Sequence, residues 1–263
     1  RDVKPLMEKR HKGNRSMVRS RPVSVNFDAL QGDVGRSGSV ADRLQLSLFP
    51  DTEFTAVFDR LEKNRSGSHS WIGHIEAVEL SQEILVHNNG LMAGNNSMPG
   101  AFYQIRHLDK DVHSVHQIDH ARFPESDDAI IPPKSNTTPS SDAGPMRDDG
   151  SIVDVMVVYT PSARSVVGGT SAMNTLIDLA IAETNTSYQN SGVSHRVRLV
   201  HRAEVSYTEQ GFSADLNNLT GATDGYMDNV HALRNQYGAD EVVLLINDPS
   251  SCGLAWLMTT VST

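Results

Sequence analysis

The chain has 263 residues, a formal charge of −9, 38% hydrophobic and 21% charged residues, and a mean hydropathy of −0.36. This composition excludes a disordered chain. The acidic balance speaks against nucleic acid as the main partner, because phosphate binding needs concentrated Lys and Arg. No apolar run approaches the roughly 18 to 20 residues of a membrane helix. The one cysteine, Cys252, rules out a disulfide within these residues and any multi-cysteine metal knuckle.

Residues 1–20 carry Lys4, Lys9, Arg10, Lys12, Arg15 and Arg19 with little apolar periodicity, which predicts a solvated basic arm. Residues 21–123 change to short alternating runs: Val23, Val25, Phe27; Leu44, Leu46, Leu48; Ile84, Val86. Asn88-Asn89-Gly90 signals a hairpin, since such turns need residues that accept positive φ. Trp71–Leu80 and Ala101–His107 supply further strands, and the whole predicts a mostly antiparallel β domain. Residues 124–150 hold Pro124, Pro132, Pro133, Pro139 and Pro145 among Ser, Thr and acidic residues, the composition of a linker open to proteolysis.

From Ile152 to Thr160 the sequence is apolar on both faces, as in a strand covered on each side. Met173, Leu176, Ile177, Ala180, Ile181, Thr184 and Tyr188 then recur at helical spacing, with Thr170 or Ser171 as the N-cap and Gly192 beyond the end. Val197 to Val205 alternates with arginines and predicts a half-buried strand. Tyr226, Val230, Leu233 and Tyr237 mark a helix closed by Gly238, and Val242–Ile246 reads as a central strand. Cys252–Met258 is a short apolar piece suited to a sheet edge. Helix and strand alternate here, which predicts an α/β layer.

Chemistry is sparse. His116-Gln-Ile-Asp-His120 looks superficially like HExxH, but that motif needs a helix and a glutamate beside the first histidine. Here Gln117 takes that place, and His113, His116 and His120 are expected to face solvent from a strand. His69, His74 and His87 are expected at the surface or in hairpins, and His195 and His201 could share a strand face. Gly168-Gly169 fits no phosphate loop and reads as a flexible start to a helix. Asp28, Asp42, Asp51 and Asp59 form no carboxylate pair. Cys252 has no evident histidine partner for nucleophilic catalysis. No catalytic and no metal-binding residue is assigned.

The series VDVMVVYTPSAR, AIAETNTSYQNSGVSHRVRLV, LTGATDGYMDNVHALRNQYGADEVVLLI and CGLAWLM resembles the first half of secreted bacterial reprolysin-like zinc metalloendopeptidases of metzincin type, a group that includes the peptidyl-Asp metalloendopeptidases. WIGHIEAVELSQ and MPGAFYQIRH resemble the pro-region that precedes such domains. The resemblance implies an α+β two-domain chain: a mostly antiparallel β pro-domain over residues 21–123, a linker over 124–150, and over 151–263 the first part of a zincin-like α/β domain with a mixed sheet. It also implies secretion, a peptide or protein substrate, and a pro-domain packed on the catalytic domain. The family's HExxHxxGxxH helix would fall after Thr263, so zinc ligands are expected there, and the chain is expected to be an inactive fragment of a precursor. Gly253, Leu254, Ala255 and Trp256 match the segment whose backbone pairs with substrate, and Cys252 is expected to pair with a later cysteine. With no cysteine before residue 150, latency is expected from occlusion of the cleft, relieved by cutting within 124–150. A non-catalytic protein-binding module on a zincin-like scaffold is the alternative reading.

Overall fold

The computed structural model describes residues 3–11, 14–30, 40–124, 130–131 and 151–257. It is an α+β structure whose contacts group into two compact units, Arg1–Arg122 with Ala163–Ser187, and Phe123–Ser162 with Tyr188–Thr263. The expected linker, apart from Pro124, Ile130 and Ile131, lies outside the described residues, as do the residues from Met258 on.

The first unit opens with helix α1 (Lys4–His11) and strand β1 (Met17–Ser24). The described part of the expected arm is therefore ordered, because residues 17–24 pair antiparallel with β8 (Val112–Ile118). Between them run β2 (Arg43–Phe49), β3 (Thr52–Lys63), β4 (His69–Ile75), β5 (Gln82–Asn88), β6 (Leu91–Met98) and β7 (Ala101–Asp109). All are joined by antiparallel pairing in the order β1-β8-β7-β6-β5-β4-β3-β2. The β5–β6 turn places Asn89 at φ 49° and Gly90 at φ 77°, the conformation that the Asn-Gly pair predicts.

The sheet curls until its two edge strands meet. Arg21 on β1 donates from Nε to the Leu48 carbonyl of β2 at 2.7 Å, and Arg19 donates to both Asp51 carboxylate oxygens at 2.8 Å. One face of every strand thereby turns inward on a single core that includes Leu44, Leu46, Leu48, Trp71, Leu85, Tyr103 and Val115. Burying an edge in this way removes a template for aggregation.

The outer face of β4, β5 and β6 is apolar as well. Ile72, Ile84, Val86 and Ala93 pack against Leu176, Leu179 and Ala182 of α3 (Thr170–Asn190), which follows the short α2 (Pro161–Val167). The helix periodicity is as predicted, but its buried stripe differs: Ala180 is exposed, whereas Asp178, Leu179, Ala182 and Thr186 are buried. Polar residues entered the stripe because the sheet beneath supplies hydrogen-bonding partners. The first compact unit thus includes Ala163–Ser187 together with Arg1–Arg122.

The second unit is built on β9 (Ile152–Tyr159), β10 (Arg196–Glu204) and β11 (Glu241–Leu245), in the order β10-β9-β11. Its three described strands are all parallel, where a mixed sheet was expected. Val155–Tyr159 of β9 is buried throughout, as its two-sided apolar run predicts. Strand β11, expected at the centre, is at the edge, and Val243 on it is 39% exposed. Helices α4 (Phe212–Thr220) and α5 (Asn229–Tyr237) complete the unit. Gly238 ends α5 in the left-handed region at φ 62° and donates its N–H to the Arg234 carbonyl, a glycine-terminated C-cap. Met156, Val158, Val205, Tyr207, Met227 and Val230 form its core.

Candidate functional site

The carboxyl ends of parallel strands are where open α/β sheets place their ligands. At the end of β9 the fully buried Thr160 donates its hydroxyl to Glu209 Oε1, and the backbone N–H of Asn247, just past β11, donates to the same oxygen at 2.9 Å. One carboxylate thus pins together the chain ends leaving two adjacent strands. Asp240 does the same at their other end, accepting from the Asp154 N–H at 2.7 Å, while Asp154 holds Arg198 through two bonds of 2.5 Å. These bonds fix the course of β11 and of the chain that follows it.

Beyond β11 lies an open groove of about 870 Å³, bordered by α4, α5, β11 and residues 251–256. Its lining includes the aliphatic Leu216, Leu219, Val230 and Leu244 and the charged Arg234 and Asp248. Asp215, also in its lining, is buried and accepts from the Tyr207 hydroxyl at 2.7 Å and the Gln210 N–H at 2.8 Å. Burial and the bond to this carboxylate push the Tyr207 hydroxyl up to about 12, so it remains a neutral donor. Asn218 donates to the same hydroxyl at 2.8 Å, which ties α4 to the loop after β10.

The four residues singled out from the sequence, Gly253, Leu254, Ala255 and Trp256, form one extended segment along this groove. The Trp256 indole N–H donates to Thr220 Oγ1 at the end of α4, 2.7 Å away. The segment is not a fourth strand of the parallel sheet. Its backbone instead pairs with Ile130, in a parallel bridge between Ile130 and Trp256: the Ile130 N–H donates to the Ala255 carbonyl at 3.4 Å, and the Leu257 N–H donates to the Ile130 carbonyl at 2.8 Å. Cys252 is exposed and its thiol approaches the Pro124 carbonyl at 3.5 Å.

The histidines depart from expectation. His87, His113 and His116 are buried at 4%, 0% and 7% exposure: His87 and His113 share the inward face with Leu85 and Val115, whereas His116, three residues on in unbroken register, lies on the opposite face beside Ser114. His113 Nε2 accepts the Met92 N–H at 3.0 Å, and His116 bonds Ser114 Oγ at 2.8 Å. His116 sits on β8 and His120 in a short 3-10 turn, so the two share no helix. His69 stacks on His87 with ring centroids 5.6 Å apart, and His201 stacks on Tyr237 at 3.9 Å. Among the described residues no three His, Cys, Asp or Glu side chains converge to hold a metal.

Sequence reasoning missed Glu209, the Tyr207–Asp215 pair and the partner segment at Ile130. For Asp215 there was a faint signal, a carboxylate in the first turn of an amphipathic run. For Ile130 there was none, since one isoleucine among prolines and acidic residues has no periodicity.

Residues 149–263 match Reprolysin_5, described as metallo-peptidase family M12. The chain is 31% identical over 256 residues to a peptidyl-Asp metalloendopeptidase of Xanthomonas campestris pv. campestris, covering 90% of this chain and 61% of that protein. It is 36% identical over 233 residues to a peptidyl-Asp metalloendopeptidase of Stenotrophomonas maltophilia, covering 78% and 55%. The chain therefore spans 55 to 61% of the length of these relatives. Metalloproteinase-II from Bacteroides fragilis aligns over 83% of the chain with 7% identity and a TM-score of 0.40, a likeness too slight to argue from.

Proposed function

We propose, from the match of residues 149–263 to metallo-peptidase family M12 and the likeness to peptidyl-Asp metalloendopeptidases, that the chain is part of a secreted metalloendopeptidase that cleaves internal peptide bonds. In this reading the segment Gly253-Leu254-Ala255-Trp256 is the edge on which an extended substrate lies, and residues 21–123 are a pro-region. The single observation that carries it is the pairing of Ala255 and Leu257 with Ile130. A backbone edge that accepts an N–H and donates an N–H to one residue of an extended chain has the hydrogen-bonding pattern of β-strand addition. The relatives' name supplies the substrate class: peptides containing aspartate.

Zinc is the metal expected of the family. The residues described do not fit it, since no donor set converges and HExxH is absent from the sequence. The ligands belong, in this proposal, to the portion of the relatives that this chain does not span. In this proposal the 263 residues bind peptide. What they contribute is alignment: Glu209 and Asp240 fix β11, Trp256 is anchored to α4, and the edge holds substrate backbone in register.

The same pairing supports a mode of latency. Ile130 occupies the bonds that a substrate residue would use, so the segment around it competes with substrate until it is cut or displaced. The test is calorimetric titration of a blocked hexapeptide with a central aspartate into the chain and into Ile130→Pro, which removes the N–H donated to Ala255. The variant is expected to bind at least tenfold more tightly. If neither protein binds the peptide, the edge is not a substrate site, and the reading as a module that binds folded protein partners takes its place.

A further inference from the structure

The helix α3 belongs by sequence to the peptidase-family region, yet it is packed on the N-terminal strands, and the way it is held is specific. Its contacting residues are Asp178, Leu179, Ala182, Glu183 and Thr186, spaced i, i+1, i+4, i+5 and i+8, which places them on one face. The centre of that face is apolar: Leu179 and Ala182, 1% and 2% exposed, lie on Ile72, Ile84, Val86 and Ala93.

Polar bonds pin the helix at both ends of this patch. Asp178, 4% exposed, accepts from Ser66 Oγ at 2.7 Å and from Ser68 Oγ at 2.8 Å. Glu183 accepts from the Asn95 amide, whose oxygen takes the Arg106 guanidinium at 2.8 Å. Arg106 is itself fixed by the Gly94 and Ile105 carbonyls at 2.7 and 2.9 Å. One turn on, Arg60 donates to Thr186 Oγ1 at 2.9 Å. Burial holds the Glu183 carboxyl above its ordinary range, opposed by the Asn95 bond and the Arg106 charge. A generic oily contact needs none of this. Here donors on β3, in the β3–β4 turn and on β6 are placed against the acceptors of one helix.

We infer that the outer face of β4–β6 is a docking surface built for α3, so that the N-terminal strands and the family domain stay joined as a noncovalent complex after the chain is cut between Arg122 and Ala163. Removal of the N-terminal region then takes a second event, its own unfolding or digestion. Proteolysis of the connecting segment is not by itself release. Displacement would expose Leu176, Leu179 and Ala182 and leave the buried carboxylates without their donors, and leaving such groups unsatisfied costs more than an average hydrogen bond. This inference stands on the helix contacts alone and does not rest on the peptidase reading.

The test inserts a site-specific protease site between residues 135 and 145 of the full chain, cuts it to completion, and measures mass by light scattering on size exclusion over a hundredfold dilution. The wild-type fragments are expected to travel together as a 1:1 complex throughout. Two separate folded pieces in native buffer would overturn the inference. The double variant Ser66→Ala/Ser68→Ala keeps the apolar core of the interface and so folds before cutting, as its uncut circular dichroism will report. After cutting it is expected to dissociate at a concentration at least tenfold higher than wild type. Dissociation of the variant at the same concentration as wild type would show that the polar bonds do not select the helix, and would overturn the docking surface as described.

Discussion

The N-terminal strands and the three-stranded sheet solve the same problem in opposite ways. In the first, both edges are tied by Arg19 and Arg21, and β5 is buried on its two faces, inward on Trp71 and Leu85 and outward under α3. In the second, β11 is a half-exposed edge beside an open groove. A surface whose strand edges are covered is finished as a fold, whereas one that leaves an edge and an aliphatic groove open still has something to bind. That difference is why the proposed substrate edge is placed in the second unit, although the first has most of the described strands.

The sharpest way to break that comparison is acid. Burial first, then a neighbouring histidine, depresses His87 and His113 to about 4, against an unfolded value near 6.5. The unfolded chain takes up protons that the folded strands refuse. The histidines' contribution is therefore whole above pH 6.5 and is lost as pH falls toward 4, by about 3 kcal/mol per histidine at about 1.36 kcal/mol per unit. Urea unfolding followed by the fluorescence of Trp71 should show this loss, and His113→Phe should reduce it by about half. Next in size is Trp71→Ala. It empties the largest fully buried side chain of the core and should cost roughly 3–5 kcal/mol, read from the urea midpoint.

Glu83 sharpens the same comparison from the alkaline side. It is fully buried on β5, takes one bond of 2.6 Å from Asn96, and burial raises it to about 8 against that bond. The folded strands keep it protonated while the unfolded chain ionises above pH 4.5, so its burden on stability grows as pH rises from 4.5 to 8. Glu83→Gln should then raise stability by about 3 kcal/mol at pH 7 and flatten the alkaline limb of the stability profile, whose maximum for wild type falls near pH 6.5. The smallest effect is expected on the open edge. Val243→Thr on β11 should shift the midpoint by no more than about 0.5 kcal/mol, the usual range for a surface change.

Much of this architecture was legible in sequence. The two-sided apolar run of β9, the Asn-Gly turn after β5, the Leu44-Leu46-Leu48 alternation and the Gly238 stop each carry their own physical signal, and each formed as predicted. What failed was inference about neighbours. Histidines at 87 and 113 looked solvent-facing because nothing local announces that a strand will curl inward, and His116 because nothing local announces that the outer face of β8 is covered too. Asp178 and Thr186 broke the apolar stripe of α3 because their partners, Ser66, Ser68 and Arg60, lie more than a hundred residues earlier. Gly73 is a further case: a Cβ there would meet the Val57 carbonyl of the neighbouring strand at 2.1 Å and the Trp71 ring at 2.6 Å. The segment Gly253–Trp256 is proposed from family resemblance, while its bridge partner Ile130 had no sequence signal at all.

The central claim, that the Ala255–Leu257 edge receives an extended chain, is tested most directly by hydrogen exchange at the Leu257 amide. In the intact chain that N–H is donated to Ile130 and should exchange slowly. In Ile130→Pro the segment is displaced, and exchange should become fast, then slow again on adding a saturating blocked hexapeptide with a central aspartate. If the amide stays unprotected at saturation, the peptide does not lie on this edge, and the account of the site is wrong.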